Sequence, residues 1–287
     1  GAKENPLWFP GWTLPGVITA GAAQTMLNVH RILPGRRAVI IGIDPLSFSV
    51  AQLMGAIGAN VLGVFLPPAN GLQFGPSSPQ SAIEKLSRFS QYAPNVRLAI
   101  LAKMSQYMVS LATGFFPRDG INVEGFSLRL RQTAFSIDGS RQAEQVHVAT
   151  VNSSGDMEAE SERQLTTDVV ITSAGLCPLV ELAQVAACPL SYISELGGWV
   201  PVHNDRFETP LPGLFVAGSI TGVEGAEVAE GQGRIAGLTA ADFLSLVKKS
   251  DYEEDLIAYQ ERVIQVREKT IPFYPNINAG RDAMARY

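Results

Sequence analysis

Three residues in the stretch 37–65 have the spacing of a phosphate-binding turn. Gly42, Asp44 and Ser47 occupy the three positions of a Gly-x-Gly-x-x-Gly pattern, in which backbone N–H groups at a helix N-terminus bind a pyrophosphate. Gly42 keeps the first glycine, and Ser47 is small enough for the third position. Asp44 replaces the second glycine, and two unit charges about 4 Å apart near a surface interact by roughly 4 kcal/mol. We expect this carboxylate to repel a bound phosphate.

Asp44 also fits the pattern of a helix cap. An aspartate at the N-cap followed by proline at the first helical position, here Pro45, is a typical helix start. We favour this role over a catalytic one, and the cap itself places an anion where a nucleotide phosphate would bind. The next predicted strand ends in Leu66, Pro67 and Pro68, without the acid that binds a ribose. The sequence therefore predicts a vestigial or altered nucleotide pocket and makes NAD(P) use doubtful.

The elements around this turn form a strand–helix–strand unit. The apolar, β-branched run 38–41 predicts a strand that is buried on both faces. From Leu46 the apolar residues recur at helical spacing, and Ser47, Ala51 and Gly55 form a stripe of small residues four apart. Gly58 is expected to end the helix, and 60–66 returns as a strand. This is a βαβ unit of the dinucleotide-binding type.

Alternating elements continue along the chain and predict an α/β fold. A first helix is expected over 19–33, with Ala22, Met26, Val29 and Leu33 on its apolar face. The period becomes two between 126 and 165, which predicts an antiparallel meander. The predicted architecture is a Rossmann-like nucleotide-binding domain, with a parallel sheet and this meander, followed by the C-terminal part of a second domain. Further elements are expected at 81–90, 96–102, 105–113, 121–123 and 168–172, of which the first and third are helices.

The last third of the chain contains a second glycine-rich turn. A strand over 214–217 meets Gly218 and Ser219, and a long helix follows from Gly225 and Ala226 to about residue 248. Small residues on one face of this helix permit either tight packing of the helix or close approach of a cofactor. Both interpretations remain open from these residues alone. A capping box of Asp251 and Glu254 is expected to open a final helix that runs to about 269.

Composition and charge narrow the functional classes. The 287 residues are 46% hydrophobic and 17% charged, with a net charge of −5, which argues against a nucleic-acid partner. No apolar run approaches the roughly 18 residues of a membrane-spanning helix, and a cytoplasmic location is expected. Cys177 and Cys188 form no CxxC motif, and three histidines are scattered singly. We therefore predict no metal site and reduced cysteines that serve in packing.

Four segments together resemble a known class of flavoproteins: 9–27, the strand with PLSFSVAQL, 168–178 and, most specifically, 212–241. The combination is similar to the pyridine nucleotide-disulfide oxidoreductase class. More narrowly, it resembles the larger subunits of hydrogen cyanide synthase, opine oxidase, L-proline dehydrogenase and heterotetrameric sarcosine oxidase. The similarity covers nearly the whole chain.

The resemblance implies a flavin site at the second turn. Gly218, Ser219, Gly225 and Ala226 would then contact FAD, with Ser219 at a position that is usually Asp in the family. It also implies hydride transfer from a C–H next to nitrogen to the flavin, a small amine or amino-acid substrate, and a partner that is a second flavoprotein subunit. The residues support no catalytic acid or base, so none is assigned.

The resemblance also implies the domain organisation. Residues 30–180 would form the NAD(P)-type domain, 1–29 with 181–250 the remnant of an FAD-binding domain, and 251–287 a C-terminal helix and tail. The family's N-terminal FAD lobe has no counterpart before Gly1, so these residues alone are expected to bind FAD weakly or not at all. Two other functions remain open: a non-catalytic nucleotide-binding or assembly subunit, and an NAD(P)H-dependent flavin reductase.

Overall fold

The computed structural model describes residues 1–69, 75–88, 116–123, 125–270 and 272–287. These residues form two compact units. The first unit comprises Glu4–Gly175, and the second comprises Gly1–Lys3 with Leu176–Tyr287. The strand predicted at 96–102 and the helix predicted at 105–113 lie outside the described residues.

One large sheet organises the first unit. Strands are numbered along the chain from β1 (Ala2–Glu4), and the sheet has the order β2-β9-β3-β4-β6-β7-β8, with β5 beside β6. In this order, the strands β2, β9, β3, β4 and β6 pair in parallel. Strands β5 and β7 pair with β6 in antiparallel fashion, as does β8 with β7. The strands are β2 (Val17–Thr19), β3 (Arg37–Ile41), β4 (Asn60–Leu66), β5 (Ile121–Val123), β6 (Phe126–Asp138), β7 (Gln145–Thr150), β8 (Arg163–Thr166) and β9 (Val169–Thr172). The predicted α/β fold with a parallel sheet and an antiparallel meander is confirmed.

Three helices of the first unit are described: α1 (Ala20–Asn28), α2 (Pro45–Ala56) and α3 (Pro79–Arg88). They pack on one face of the sheet, where the alternate strand residues Ile40, Val64 and Ile171 are fully buried. The small-residue stripe of α2 lies deep in this contact, since Ser47 and Ala51 are completely buried. Burial of this face stabilises the unit at about 25 cal/mol per Å² of apolar surface.

The predicted extent and apolar face of α1 are wrong. The helix ends at Asn28 and buries Ala20, Ala23 and Leu27, whereas Ala22 and Val29 are exposed. Both sets have helical spacing, so periodicity alone could not choose between them. The parallel pairing of β2 with β9, which fixes how the chain enters the helix, decides the face.

Four α-helices of the second unit are described: α4 (Glu181–Val185), α5 (Ala226–Phe243), α6 (Lys249–Lys269) and α7 (Ile277–Met284). Strand β10 (Leu176–Pro178) pairs with β1, and β11 (Leu190–Ile193) pairs with β12 (Gly198–Pro201) in antiparallel fashion. The core lies between α5 and α6, where Val228, Ile235 and Tyr252 are buried with Val263. No described helix is long and apolar enough to cross a membrane.

Several sequence-based boundaries in the second unit are wrong. The predicted strand 214–217 forms only an isolated bridge, between Phe215 and Glu208. Helix α5 ends at Phe243 rather than 248, because Ser245 adopts a left-handed conformation and donates its N–H to the carbonyl of Asp242. The predicted capping box is not formed, since α6 begins at Lys249 without a side-chain cap.

The compact units group part of the chain differently from the predicted ligand-binding domains. Residues 4–29 lie in the first unit, because β2 is a strand of its sheet. The second unit begins at Leu176 after β9. The assignment of 30–180 to NAD(P), of 1–29 with 181–250 to FAD and of 251–287 to a C-terminal helix and tail stays a prediction.

Candidate functional site

The β3–α2 turn brings Gly42, Asp44 and Ser47 together at the carboxyl end of β3. Gly42 has φ +127° and donates its N–H to the carbonyl of Phe65 at 2.9 Å. A β-carbon at this position would overlap the carbonyl oxygen of Ser173, which follows β9. Close packing of backbone at the end of the sheet therefore explains this glycine without a ligand.

Asp44 caps α2, as predicted. Its Oδ1 accepts hydrogen bonds from the N–H groups of Leu46 and Ser47, both at 2.9 Å. The Ser47 hydroxyl completes a capping box, because it accepts the Asp44 N–H at 3.2 Å and lies 2.8 Å from the Asp44 carbonyl oxygen. Asp44 is only 2% exposed. The N–H groups that bind a pyrophosphate in related turns are thus occupied by the chain's own carboxylate.

A second helix N-terminus in the first unit has the same arrangement. The N–H of Gly21, in the first turn of α1, donates to both carboxylate oxygens of Glu4 at 3.0 and 3.1 Å. Thr19 accepts the N–H of Ala22 in the same turn. Helices α1 and α2 follow the parallel strands β2 and β3. In both helices a carboxylate of the chain itself neutralises the partial positive charge of the N-terminus.

One cation lies near the Asp44 carboxylate. Burial lowers the pKa of the Lys85 ammonium on α3, and attraction to Asp44 acts in the opposite direction. The positive charge of Lys85 reduces the negative potential of the turn, although it leaves the Asp44 hydrogen bonds in place. The sequence offers no sign of this proximity, since Lys85 lies 41 positions after Asp44.

The predicted flavin residues lie in the second unit, around the start of α5. Gly218 donates its N–H to Oε1 of Gln232 at 2.7 Å, and its carbonyl accepts the Thr221 hydroxyl at 2.9 Å. Ser219 begins a short 3-10 turn and is half-buried. Both backbone groups of Gly218 are engaged, so a ligand would contact this residue through its α-carbon. Its role in FAD binding, like that of Ser219, stays a prediction.

Gly225 and Ala226 form the N-terminus of α5. Gly225 is the N-cap and has no side chain that could accept an N–H of the first turn, in contrast to Asp44 in α2. A β-carbon at Gly225 would lie 3.0 Å from Cγ2 of Thr270, so close packing against the end of α6 also favours glycine. Ala226 is exposed. No side chain caps α5 within the described residues, so its first N–H groups are more accessible to a ligand than those of α2, although Glu227 adds a negative charge to the same turn.

The small residues of α5 divide between two environments. Gly231 packs on α6, where a β-carbon would lie 2.5 Å from Cγ2 of Val263. Gly233 and Gly237 are exposed, and no described atom lies within 4 Å of a β-carbon built on either. Packing within the described residues therefore explains why position 231 is glycine. Ala226, Gly233 and Gly237 form an outer face of α5, and no such packing explains the small residues there.

A buried polar network behind the α5 turn was missed by sequence reasoning. Nε2 of Gln232 donates to Oε1 of Glu224 at 3.4 Å, and Nη2 and Nε of Arg267 donate to the two Glu224 oxygens at 2.9 Å each. Arg281 on α7 lies 3.5 Å from Glu224. Arg267 follows Glu224 by 43 positions, and no local pattern links the two residues.

Metal and thiol chemistry find little support in the described part of the chain. No group of three or more His, Cys, Asp or Glu side chains there could hold a metal ion. Cys177 and Cys188 are free thiols, and burial raises the pKa of both. A raised pKa keeps each thiol protonated and poorly nucleophilic at neutral pH.

Known proteins are similar to this chain over most of its length. Residues 201–247 match the family model "Glucose inhibited division protein A". The chain is 31% identical over 255 residues to an opine oxidase subunit of Agrobacterium tumefaciens (strain Ach5), and the match covers 86% of this chain and 43% of that protein. It is 26% identical over 239 residues to hydrogen cyanide synthase subunit HcnB of Pseudomonas protegens, where the match covers 83% and 46%. The chain thus spans less than half the length of either relative.

Among solved structures, the fold is similar to L-proline dehydrogenase from P. horikoshii. The TM-score is 0.54 with 15% identity, and the match covers 90% of this chain and 36% of that one. The resemblance inferred from the sequence is therefore confirmed. By sequence this chain is similar to the opine oxidase and hydrogen cyanide synthase subunits, and its fold is similar to that of L-proline dehydrogenase.

Proposed function

We propose that this chain is part of the larger subunit of an FAD-dependent oxidoreductase that acts on an amine or amino acid. The N-terminus of α5 carries this proposal, because Gly225 leaves it uncapped and Ala226 leaves it accessible, whereas the N-terminus of α2 is filled by Asp44. An uncapped helix end favours a group on which negative charge develops, as on the pyrimidine edge of a reduced flavin.

The residues around α5 fit FAD in a further respect. The outer face of α5 has small residues with open space above them, which suits close approach of a flat, extended group. Gly218, Ser219 and the N-terminus of α5 would hold the cofactor, which would supply a hydride acceptor. The chain spans less than half the length of these relatives, and we propose that other residues of the longer protein bind the ADP half of the cofactor.

The names of the relatives support the proposed substrate class. One relative is named for the oxidation of opines, and one structural neighbour for the dehydrogenation of L-proline. Opines and L-proline both have a C–H bond next to nitrogen. Relatives named as subunits support a partner chain, which we propose to be a second flavoprotein. We assign no catalytic acid or base within the described residues. We further propose that the β3–α2 site no longer binds NAD(P), since Asp44 occupies its N–H groups.

Purification of the full-length protein tests this function. We expect a yellow protein with flavin absorbance, release of FAD on denaturation, and anaerobic bleaching by one member of a panel of secondary amines and amino acids. NADH should not bleach it. A colourless full-length protein would contradict the proposal.

A second candidate is a non-catalytic nucleotide-binding or assembly subunit, and the internal capping of α1 and α2 favours its assembly role. It predicts a colourless protein that still co-purifies with a flavin-containing partner. An NAD(P)H-dependent flavin reductase, the third alternative, requires nicotinamide binding at the capped turn. Reduction of free flavin by NADH in the presence of the protein would support that alternative and exclude the first two.

A further inference from the structure

A continuous series of hydrogen bonds in the second unit connects the Gly218 turn to α6. The Gly218 N–H donates to Gln232, Gln232 donates to Glu224, and Arg267 donates two hydrogen bonds to Glu224. Gln232 also accepts the hydroxyl of Thr221 at 3.1 Å. A single series of side chains therefore joins both ends of the segment 218–225 to the last turn of α6.

This series is largely shielded from water. Gln232 is 2% exposed, and the side chain of Glu224 is 8% exposed. Arg267 binds the Glu224 carboxylate in bidentate fashion, with one N–H group of the planar guanidinium on each oxygen. This contact fixes the orientation of the carboxylate as well as its position. Hydrogen bonds in such an environment are stronger and more directional than at the surface.

Stability alone is a weak reason for this ion pair. Removing two charges from water costs about as much as their attraction returns, and apolar residues of similar size often stabilise a protein equally well. The α5–α6 contact already has an apolar core with Val263 and Val266. The cluster of Glu224 with Arg267 and Arg281 at the end of this contact instead specifies one arrangement of the chain around Glu224.

We propose that Arg267 is a positioning residue for the FAD-binding turn, an inference that rests on the proposed function. Glu224 immediately precedes Gly225, so a fixed carboxylate fixes the direction in which the first N–H groups of α5 point. Through Gln232 the same carboxylate holds the backbone of Gly218. The influence of a helix terminus on a bound anion is confined to its first turn, so a small rotation of this turn weakens cofactor binding.

The test compares Arg267→Gln with Arg234→Gln in the full-length protein purified with its flavin. Arg234 is a matched control, because it is exposed on α5, pairs with Glu230 at 2.8 Å and gives the same charge change. We expect roughly tenfold faster FAD release from Arg267→Gln, by analogy with the lower end of the effect found for residues that orient metal ligands. Hydrogen–deuterium exchange of the peptide 214–228 should also accelerate. Arg234→Gln should change neither measurement.

Arg267→Lys keeps the charge but not the paired hydrogen bonds, and it should restore part of the slow release. Unchanged FAD release and exchange in Arg267→Gln, even with a lower melting temperature, would overturn the inference and leave the proposed function intact. If Arg267→Gln does not fold, Glu224→Gln is measured in the same way, with the same outcomes. A wild-type protein that holds no FAD would overturn the proposed function itself and this inference with it.

Discussion

Asp44 and Ser47 hold each other in place across the first turn of α2. The carboxylate of Asp44 accepts the N–H of Ser47, and the hydroxyl of Ser47 accepts the N–H of Asp44. These are two of the three positions at which related turns bind a pyrophosphate through glycine backbone. The same two residues that keep the turn in its dinucleotide-binding shape therefore occupy its hydrogen-bonding groups.

Substitution of Asp44 tests whether its charge closes this site. Asp44→Asn keeps a preferred N-cap and removes the charge, whereas Asp44→Gly restores the motif and costs a few tenths of a kcal/mol. We expect both variants to bind NADH, NADPH or ATP at least about tenfold more tightly than wild type. Loss of even a third of a repulsion of roughly 4 kcal/mol gives that factor. Thermal-shift titration of the full-length protein measures it.

The two variants also separate charge from occupancy. If only Asp44→Gly gains affinity, the bound N–H groups close the site rather than the charge. Wild-type affinity in both variants would show that neither feature of Asp44 excludes the nucleotide. Ser47→Ala, which removes the hydroxyl but not the carboxylate, is expected to leave nucleotide affinity unchanged.

Gly42 is expected to be required for folding whether or not a nucleotide binds. Gly42→Ala introduces a β-carbon that overlaps the Ser173 carbonyl in a backbone with φ +127°. We expect a loss of more than about 3 kcal/mol in the free energy of unfolding, measured by denaturant titration. Gly58→Ala is the control, because Gly58 has φ +88° and no described atom within 4 Å of a built β-carbon, so its cost should be about 1–2 kcal/mol.

The central βαβ unit could be predicted from the sequence because its signals are local. The strand 60–66 has the observed bounds, and Asp44 with Pro45 marks the start of α2 correctly. Neighbouring residues decide these features: β-branched runs, a cap and a glycine after the helix. The meander and the strand 121–123 were predicted for the same reason.

The environment of the second glycine-rich turn, 218–226, could not be predicted, since it depends on residues far apart in sequence. Arg267 reaches Glu224 across 43 positions, and Gln232 lies in a stretch whose small residues dominate the pattern. The capping box expected at Asp251 is the opposite case, in which a local pattern predicted a feature that the structure does not contain. Its local pattern is good, yet α6 begins two residues earlier, at Lys249.

His147 gives the first unit a pH-dependent contact. Its two ring nitrogens lie 2.7 Å from Glu162 and 2.8 Å from Asp138, and the hydrogen bond to Glu162 is the main cause of its raised pKa. Because the pKa of His147 is raised in the folded state, its contribution to stability is complete below the ordinary pKa of 6.5. This contribution is lost as the pH rises through the folded-state pKa. Because both carboxylates are exposed, His147→Gln should cost roughly 0.2–1 kcal/mol at pH 5.5 and less at pH 9.

His203 supplies a comparison of opposite sign. Burial lowers its pKa, and the hydrogen bond to the Pro201 carbonyl only partly offsets that effect. Its stabilising contribution is therefore present above pH 6.5 and decreases as pH falls. Denaturant titrations of His203→Gln should show a smaller loss at pH 5.5 than at pH 8. The same pH trend in both histidine variants would contradict these assignments.

The glycines of α5 distinguish packing within the chain from contact with a ligand. Gly231→Ala places a β-carbon 2.5 Å from Val263 and should destabilise the full-length apoprotein by about 1–3 kcal/mol. Gly233→Ala meets no described atom within 4 Å, and alanine is the better helix former, so the apoprotein should gain up to about 1 kcal/mol. Thermal unfolding of each variant, without flavin, measures both changes.

The outer face then makes a sharper prediction for the holoprotein. If FAD or the segment that binds its ADP half lies against Gly233 and Gly237, a methyl group there separates the surfaces and weakens FAD binding. Gly237→Ala should therefore raise the melting temperature without flavin and shorten FAD retention in the same full-length protein. A variant that is stabilised and keeps FAD as long as wild type would show that this face is open to solvent. The flavin would then have to lie only at the N-terminus of α5, beside Ala226.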